Sequence, residues 1–439
     1  MVGRAPATFQ QRNFIEQHHR HALPQVFNVA LRITLTGDLD IPALRTALTQ
    51  LCARHESLRT RFVKDGEEWW QEILRPRPVD LTVEDLTGPG DTADGSVAEA
   101  DEAEVKRISA EVAETRFDLA EGVAPKLRLL RTGPSTWVLL FLLHHSTCDG
   151  WAVSILLSDF AALYGAAVTG EPHTLASTVP QPTEYARWQR ETIGDKADQR
   201  VLKYWARELE GASFPHGLPL DRPRPETLSG QGRVVLFHVG ADVRADVERL
   251  ARKCGTTPYA VTIAALGRLA GKLSGKPETV VFVSYANRER RAFESLMACT
   301  VAGFPLRVRT AAEETFTGLV RRVTLATTEA IDHVMPLRRL AKALREDLGV
   351  EIPDRVPLGF QYQNSLETDI ELPGVTAAVE DLAVPASRSE FNLGLVPAGD
   401  ALAGYVEYST DLWDHATIEG WAADYVSLLA EEVRAALAE

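Results

Sequence analysis

Apolar and polar residues alternate along Phe27 to Leu35 (FNVALRITL), which predicts a strand with one buried face. The period then changes. Between Ile41 and Glu56, Leu44, Leu48, Leu51 and Cys52 recur at helical spacing behind Asp40, a residue suited to cap a helix. Gly88 to Asp101, rich in Gly, Asp and Ala, predicts a surface loop, and the charged stretch Glu102 to Thr115 predicts a helix. Trp137 to Leu143 is apolar at every position, as a strand covered on both faces requires. It runs straight into His144 and His145, crosses a short Ser-Thr-Cys-Asp-Gly turn, and opens on Trp151 to Val168. In that last stretch Val153, Leu156, Leu157, Phe160 and Leu163 mark a helix packed on the strand. Ionisable residues therefore collect where a sheet edge meets a helix start.

A second strand–helix–strand pattern follows two proline-rich candidate linkers, Gly170 to Pro182 and Leu218 to Pro225. Arg233 to Val239 reads as a strand, and Thr257–Pro258 starts a helix that runs to about Leu273 before Gly275 and Pro277 end it. Thr279 to Ser284, Phe391 to Leu395 and Gly404 to Tyr408 read as strands, and Ala416 to Leu437 as a terminal helix. The 439 residues exceed what one core of ordinary size fills, so two lobes of roughly 200 residues are expected. The reading divides them at 1–175 and 176–439. Both are mixed α/β, with one site between them.

Composition narrows the function classes. With 45% apolar and 25% charged residues the chain has the make-up of an ordinary globular protein. A net charge of −14 argues against nucleic acid as a partner, because phosphate binding needs a concentrated basic surface. Cys52, Cys148, Cys254 and Cys299 lie far apart, which gives neither a disulfide framework nor a metal site and fits a reducing cytoplasm. The start of the chain lacks a signal-peptide pattern, and the longest apolar run, Trp137 to Leu143, is too short to span a membrane.

The chemistry lies in His144, His145, Asp149 and Gly150. A match to these four spaced positions arises by chance in a chain of this length about once in a thousand. Acyl transfer needs a group that manages the nucleophile's proton, and imidazole titrates near neutrality. Adjacent residues on an extended chain point opposite ways, so only one histidine of the pair can face the reactants. His145 is assigned to proton handling and His144 to packing and hydrogen bonding. Asp149 can fix the turn through an arginine, and Gly150 offers a close-approaching backbone N–H as a candidate oxyanion donor. Cys148, inside the turn, reads as a small buried residue rather than a nucleophile. His18 and His19 form another adjacent pair with no Asp-Gly behind them, and they read as surface histidines. No G-x-S-x-G, G-x-x-x-x-G-K-[ST] or G-x-G-x-x-G sequence occurs, which disfavours a serine-hydrolase elbow and nucleotide binding.

These residues resemble the condensation domains of nonribosomal peptide synthetases. HHSTCDGW (144–151) matches the family's core motif, and RHESLRTRF (54–62), ATFQQR (7–12), EYARWQ (184–189) and YANRER (285–290) match four others in order. The resemblance implies two chloramphenicol-acetyltransferase-like lobes arranged as a V, with the histidine motif in the channel between them. It implies a donor held as a thioester on the 4'-phosphopantetheine arm of a peptidyl carrier protein, an amine or alcohol acceptor, and no intrinsic cofactor or metal. By the same resemblance His145 is catalytic and Asp149 pairs with an arginine, Arg59 or Arg288. Trp151 supports the turn, while Tyr185, Trp188, Ala302 and Ser389 line the substrate channel. The chain departs from the family pattern at VAGFPL (301–306), where Ala302 replaces the usual Asn, at DHVMPL (332–337), and at SRSEFNL (387–393). An unusual acceptor is the suspicion these changes raise.

No adenylation or carrier motif lies within the sequence, which favours a free-standing enzyme that meets its carrier in trans. Arg321, Arg322, Arg338, Arg339, Lys342 and Arg345 read as a solvated helix face, with carrier docking as the alternative. The competing functions are a coenzyme-A-dependent acyltransferase, an epimerisation domain (no G-H-G-R-E-like stretch is found) and a non-catalytic recruitment module.

Overall fold

The computed structural model describes residues 1–88, 100–193, 199–288, 290–310, 314–353, 355–363 and 370–439. The chain divides into two compact units. Met1–Gly194, Ala286–Thr300 and Leu366–Val384 form the first; Asp195–Tyr285, Val301–Ser365 and Pro385–Glu439 form the second.

In the first unit a six-stranded sheet runs in the order Glu371–Leu372, Val375–Asp381, Asn28–Gly37, Thr136–His144, Lys126–Arg131, Leu81–Asp85. Every pairing is antiparallel except the last. The continuous apolar run at 137–143 is explained by this central place. Leu139, Phe141 and Leu143 meet the helices Ile41–Arg54 and Gly150–Thr169 on one face, with Leu48, Leu51, Leu156 and Phe160. Val138, Leu140 and Leu142 meet the helix Glu102–Ala113 on the other, with Val105, Ile108 and Val112. Asp40 caps Ile41–Arg54 as expected, accepting from the Ala43 N–H. A small sheet of Gly3–Pro6, Glu68–Ile73 and Thr60–Asp65 lies in the same unit. Among the described residues only Gly150–Thr169 is long and apolar enough to cross a membrane, and its apolar side is the core face just described.

The second unit carries a six-stranded sheet ordered Ala302–Arg309, Glu278–Tyr285, Val356–Tyr362, Ser389–Ala398, Ala401–Ser409, Gly232–Val239. The helices Ala241–Cys254, Pro258–Ser274, Phe316–Asp332 and His415–Ala438 share its core.

Three expectations change. The division at 175/176 gives way to a discontinuous one, because Val375–Asp381 hydrogen-bonds along Asn28–Gly37 and Tyr185 packs against Leu296 and Ala298. Ala286–Thr300, expected in the C-terminal lobe, thus belongs to the first unit, while SRSEFNL (387–393) stays in the second. Leu218 to Pro225 is no linker: Leu218 is buried and the Trp413 indole donates to the Pro219 carbonyl at 2.7 Å, all within the second unit. The basic stretch 321–345 is two helices, Phe316–Asp332 and Leu337–Leu348, and Arg322 is already engaged by the Arg309 carbonyl and Glu314. The predicted loop at 88–101 lies largely outside the described residues.

Candidate active site

Strand parity decides the two histidines. His144 follows the even-numbered residues onto the face of Leu140 and Leu142, where it is completely buried near Phe27 and Phe117. Its Nδ1 accepts from the Ser146 N–H at 3.1 Å and lies 2.8 Å from the Ser146 hydroxyl. Its Nε2 lies 3.1 Å from His18 Nδ1. Burial, reinforced by His18, His145 and His19, holds the His144 pKa well below the usual histidine range. His145 is only partly buried. Its N–H donates to the Phe27 carbonyl at 2.8 Å, its ring stacks on Phe14 at 4.4 Å and 11°, and Cys299 Sγ stands 3.9 Å from its Nδ1. One histidine is locked inside; its neighbour keeps a surface on which a substrate can act.

Asp149 is the junction of the site. It is buried and caps Gly150–Thr169, accepting from the Ala152 N–H at 2.8 Å. Arg288 Nη2 donates to the same oxygen at 3.0 Å, and the Thr300 N–H and hydroxyl donate to the other at 2.8 and 3.2 Å. Of the two candidate arginines the structure selects Arg288. Arg59 instead donates to the Leu74 carbonyl at 2.7 Å. Gly150 is the exposed first residue of the helix, where N–H groups lack intrahelical acceptors and the helix dipole is positive.

The sequence motifs converge on Ala286–Thr300. The Gln10 amide donates to the Thr300 carbonyl at 3.1 Å and itself accepts from Gln189 at 2.8 Å. The Ser57 hydroxyl donates to the Met297 carbonyl. Asn287, the only non-glycine residue at positive φ among those described, donates to Tyr185 Oη at 3.1 Å and to the Thr300 carbonyl at 3.2 Å. Asparagine tolerates that left-handed conformation better than most residues. Trp151 donates from its indole to the Glu294 carbonyl at 3.1 Å, and its ring is half exposed. Arg54 and His55 bind Asp159 on the motif helix at 2.7 and 2.8 Å. Burial pushes the Asp159 carboxyl up, but these two partners hold it below its ordinary value.

Several sequence assignments need correcting. Tyr185 is 1% exposed, ring-packed against Trp188 and Phe293, and Ser389 is 5% exposed beside Glu407, so neither presents a wall to a substrate. Trp188 packs beneath the same loop, with Arg290 over its ring at 4.8 Å. Ala302 opens the edge strand of the second unit's sheet and pairs with Tyr285. His18 is half-buried and bound to His144 rather than freely solvated; His19 is exposed and stacks on Trp69. Cys148, read as a small buried residue, is buried, and its thiol is pushed up by burial first and Asp149 second, the opposite of what an activated nucleophile needs. Sequence reasoning missed Phe14, His18, Cys299 and Thr300. Only the four-residue spacing of Phe14 and His18 could have signalled one shared helix face.

The family model for the condensation domain matches residues 2–436. Over 438 residues the chain is 32% identical to the probable non-canonical nonribosomal peptide synthetase CymA of Salinispora arenicola; the match covers 97% of this chain and only 5% of that protein. Among solved structures, the X-domain from teicoplanin biosynthesis superposes with a TM-score of 0.82 at 26% identity, covering 99% of this chain and 96% of that one. The SgcC5 protein of Streptomyces globisporus superposes with a TM-score of 0.79 at 25% identity, covering 98% of each chain.

Proposed function

This chain belongs to the condensation-domain family of nonribosomal peptide synthesis, and from that premise we propose that it joins an acyl or aminoacyl thioester to an amine or alcohol. The donor is carried on the phosphopantetheine arm of a peptidyl carrier protein. The product is an amide or ester in natural-product biosynthesis. The observation that carries this reading is the division of labour in the motif: His144 buried and bonded at both nitrogens, His145 partly open and held by Phe14.

In the proposed reaction the acceptor's nitrogen or oxygen attacks the thioester carbonyl while His145 takes its proton. The new C–N or C–O bond forms, the C–S bond breaks, and the proton passes to the departing thiolate of the carrier arm. The Gly150 N–H, at a helix start, is the group proposed to stabilise the carbonyl oxygen as it gains charge. An alcohol is far less acidic than an ammonium, so it depends more on the base. His145→Ala is therefore expected to abolish coupling to alcohols and to reduce coupling to amines less, measured by mass spectrometry with a loaded carrier. Equal residual rates for both acceptors would count against His145 as a base. Hydroxyl acceptors belong in that panel because the SgcC5 structure contains (R)-(-)-1-(2-naphthyl)-1,2-ethanediol.

A second reading, a recruitment module, draws support from the likeness to the teicoplanin X-domain, which has been solved in complex with OxyB. Binding of a loaded carrier without turnover of any acceptor would favour it. Coupling would exclude it.

A further inference from the structure

Phe14 and His18 stand four residues apart on the helix Phe9–Arg20, which puts them on one face. That face meets both motif histidines: Phe14 stacks on His145, and His18 meets His144 edge to face at 5.0 Å. The hydrogen bonds here have a forced direction. A backbone N–H can only donate, so the Ser146 N–H fixes His144 Nδ1 as an acceptor at 3.1 Å. A neutral His144 then carries its proton on Nε2 and donates it to His18 Nδ1, 3.1 Å away. His18 in turn keeps its proton on Nε2 and hydrogen-bonds the Phe117 backbone. The chain works only while His18 offers a lone pair. A second proton on the pair would set two donors against each other.

We propose that His18 is a positioning residue for His145, acting through His144 as the acceptor that closes a chain of neutral imidazoles. His144 and His145 share a peptide bond, and His145 is tied to Phe27, whose ring also packs near His144. Losing the acceptor at His18 leaves a buried N–H on His144 unsatisfied, and the turn must shift to find it a partner. The role rests on the coupling reading above; the hydrogen-bond chain does not. Burial contributes most to keeping His18 neutral. The titratable and charged neighbours are His19 on its own helix, Arg116 and Asp118 on the segment beyond Glu102–Ala113, and His144; Asp118 and the Phe117 backbone bond favour protonation.

The test compares His18→Phe, which keeps a ring but no acceptor, with His18→Asn, whose side-chain oxygen can accept. With a loaded carrier, His18→Phe is expected to lower kcat roughly ten- to a hundredfold with little change in KM, as a displaced catalytic group does. His18→Asn should recover much of that loss and move the acid limb of the pH profile, since Asn does not titrate. Coupling by His18→Phe at the unaltered rate, with the same acid limb, overturns the proposal. Because His18→Phe could misfold, a second measurement uses the unaltered protein with isotope-labelled histidine nitrogens. Near neutral pH, a bare His18 Nδ1 beside a protonated His144 Nε2 supports the chain, and a proton on His18 Nδ1 sinks it. If the unaltered protein couples no loaded carrier, the coupling reading falls with the positioning role, while the nitrogen spectrum still decides the chain.

Discussion

Arg288 is a single side chain that closes a whole loop. Its Nη2 donates to Asp149 and to the Ala298 carbonyl at 2.8 Å, and its Nη1 to the Leu296 carbonyl at 2.7 Å, with only 9% of the residue exposed. Arg288→Ala would leave a buried carboxylate without its counter-charge, a loss of about 3–5 kcal/mol. Chemical denaturation should show it, and Arg288→Lys should rescue little because lysine lacks the planar fork. Acid sensitivity is also set by single side chains. Burial, helped by His19 and Arg116, lowers His18 to about 4 from 6.5, and burial also holds His144 well below the usual histidine range. In this window the unfolded chain binds protons that the folded one refuses. Stability is therefore complete above pH 6.5 and falls as the pH drops toward 4. His18→Asn should flatten part of that slope, read from urea midpoints across the same range.

Helices and strands differed in how openly the sequence announced them. Gly150–Thr169 was legible over Trp151 to Val168 because its apolar positions recur at helical spacing; the structure adds Asp149 as its cap. Leu156→Ala, at a completely buried position against the sheet, is expected to cost about 2–5 kcal/mol by denaturation. The strand Val375–Asp381 was not legible. It lies toward the sheet margin with much of its surface open, so its sequence VTAAVED lacks a strong alternation. Its attachment depends on Gly37, at φ +136°, where a Cβ would lie 2.1 Å from the Gly374 carbonyl oxygen. Gly37→Ala should speed hydrogen exchange at residues 375–381 and leave the strand Thr136–His144 protected. Unchanged exchange at 375–381 would show that the junction yields without unpairing.

The first unit is assembled from three separate stretches of chain, and the candidate site needs two of them. Asp149 comes from the first stretch, Arg288 and Thr300 from the second, and the third completes the sheet. Residues 1–175, expressed alone, should therefore show no cooperative thermal transition. They lose the partners of a buried carboxylate, a strand, and the cover of Tyr185, Leu296 and Ala298. A sharp two-state melt of that fragment would contradict the division.

The sequence by itself determined the motif, the mixed α/β class, the parity that sends His144 and His145 opposite ways, and the helix over Trp151 to Val168. All of these rest on local periods and caps, which act over a few residues. Only the tertiary structure decided that Arg288 rather than Arg59 meets Asp149, that His18 is bound to His144, and that Tyr185 and Ser389 are enclosed. Those contacts join residues 126 or more positions apart in the two histidine and arginine pairs. No local pattern encodes them, because they arise only once two faces have been packed together.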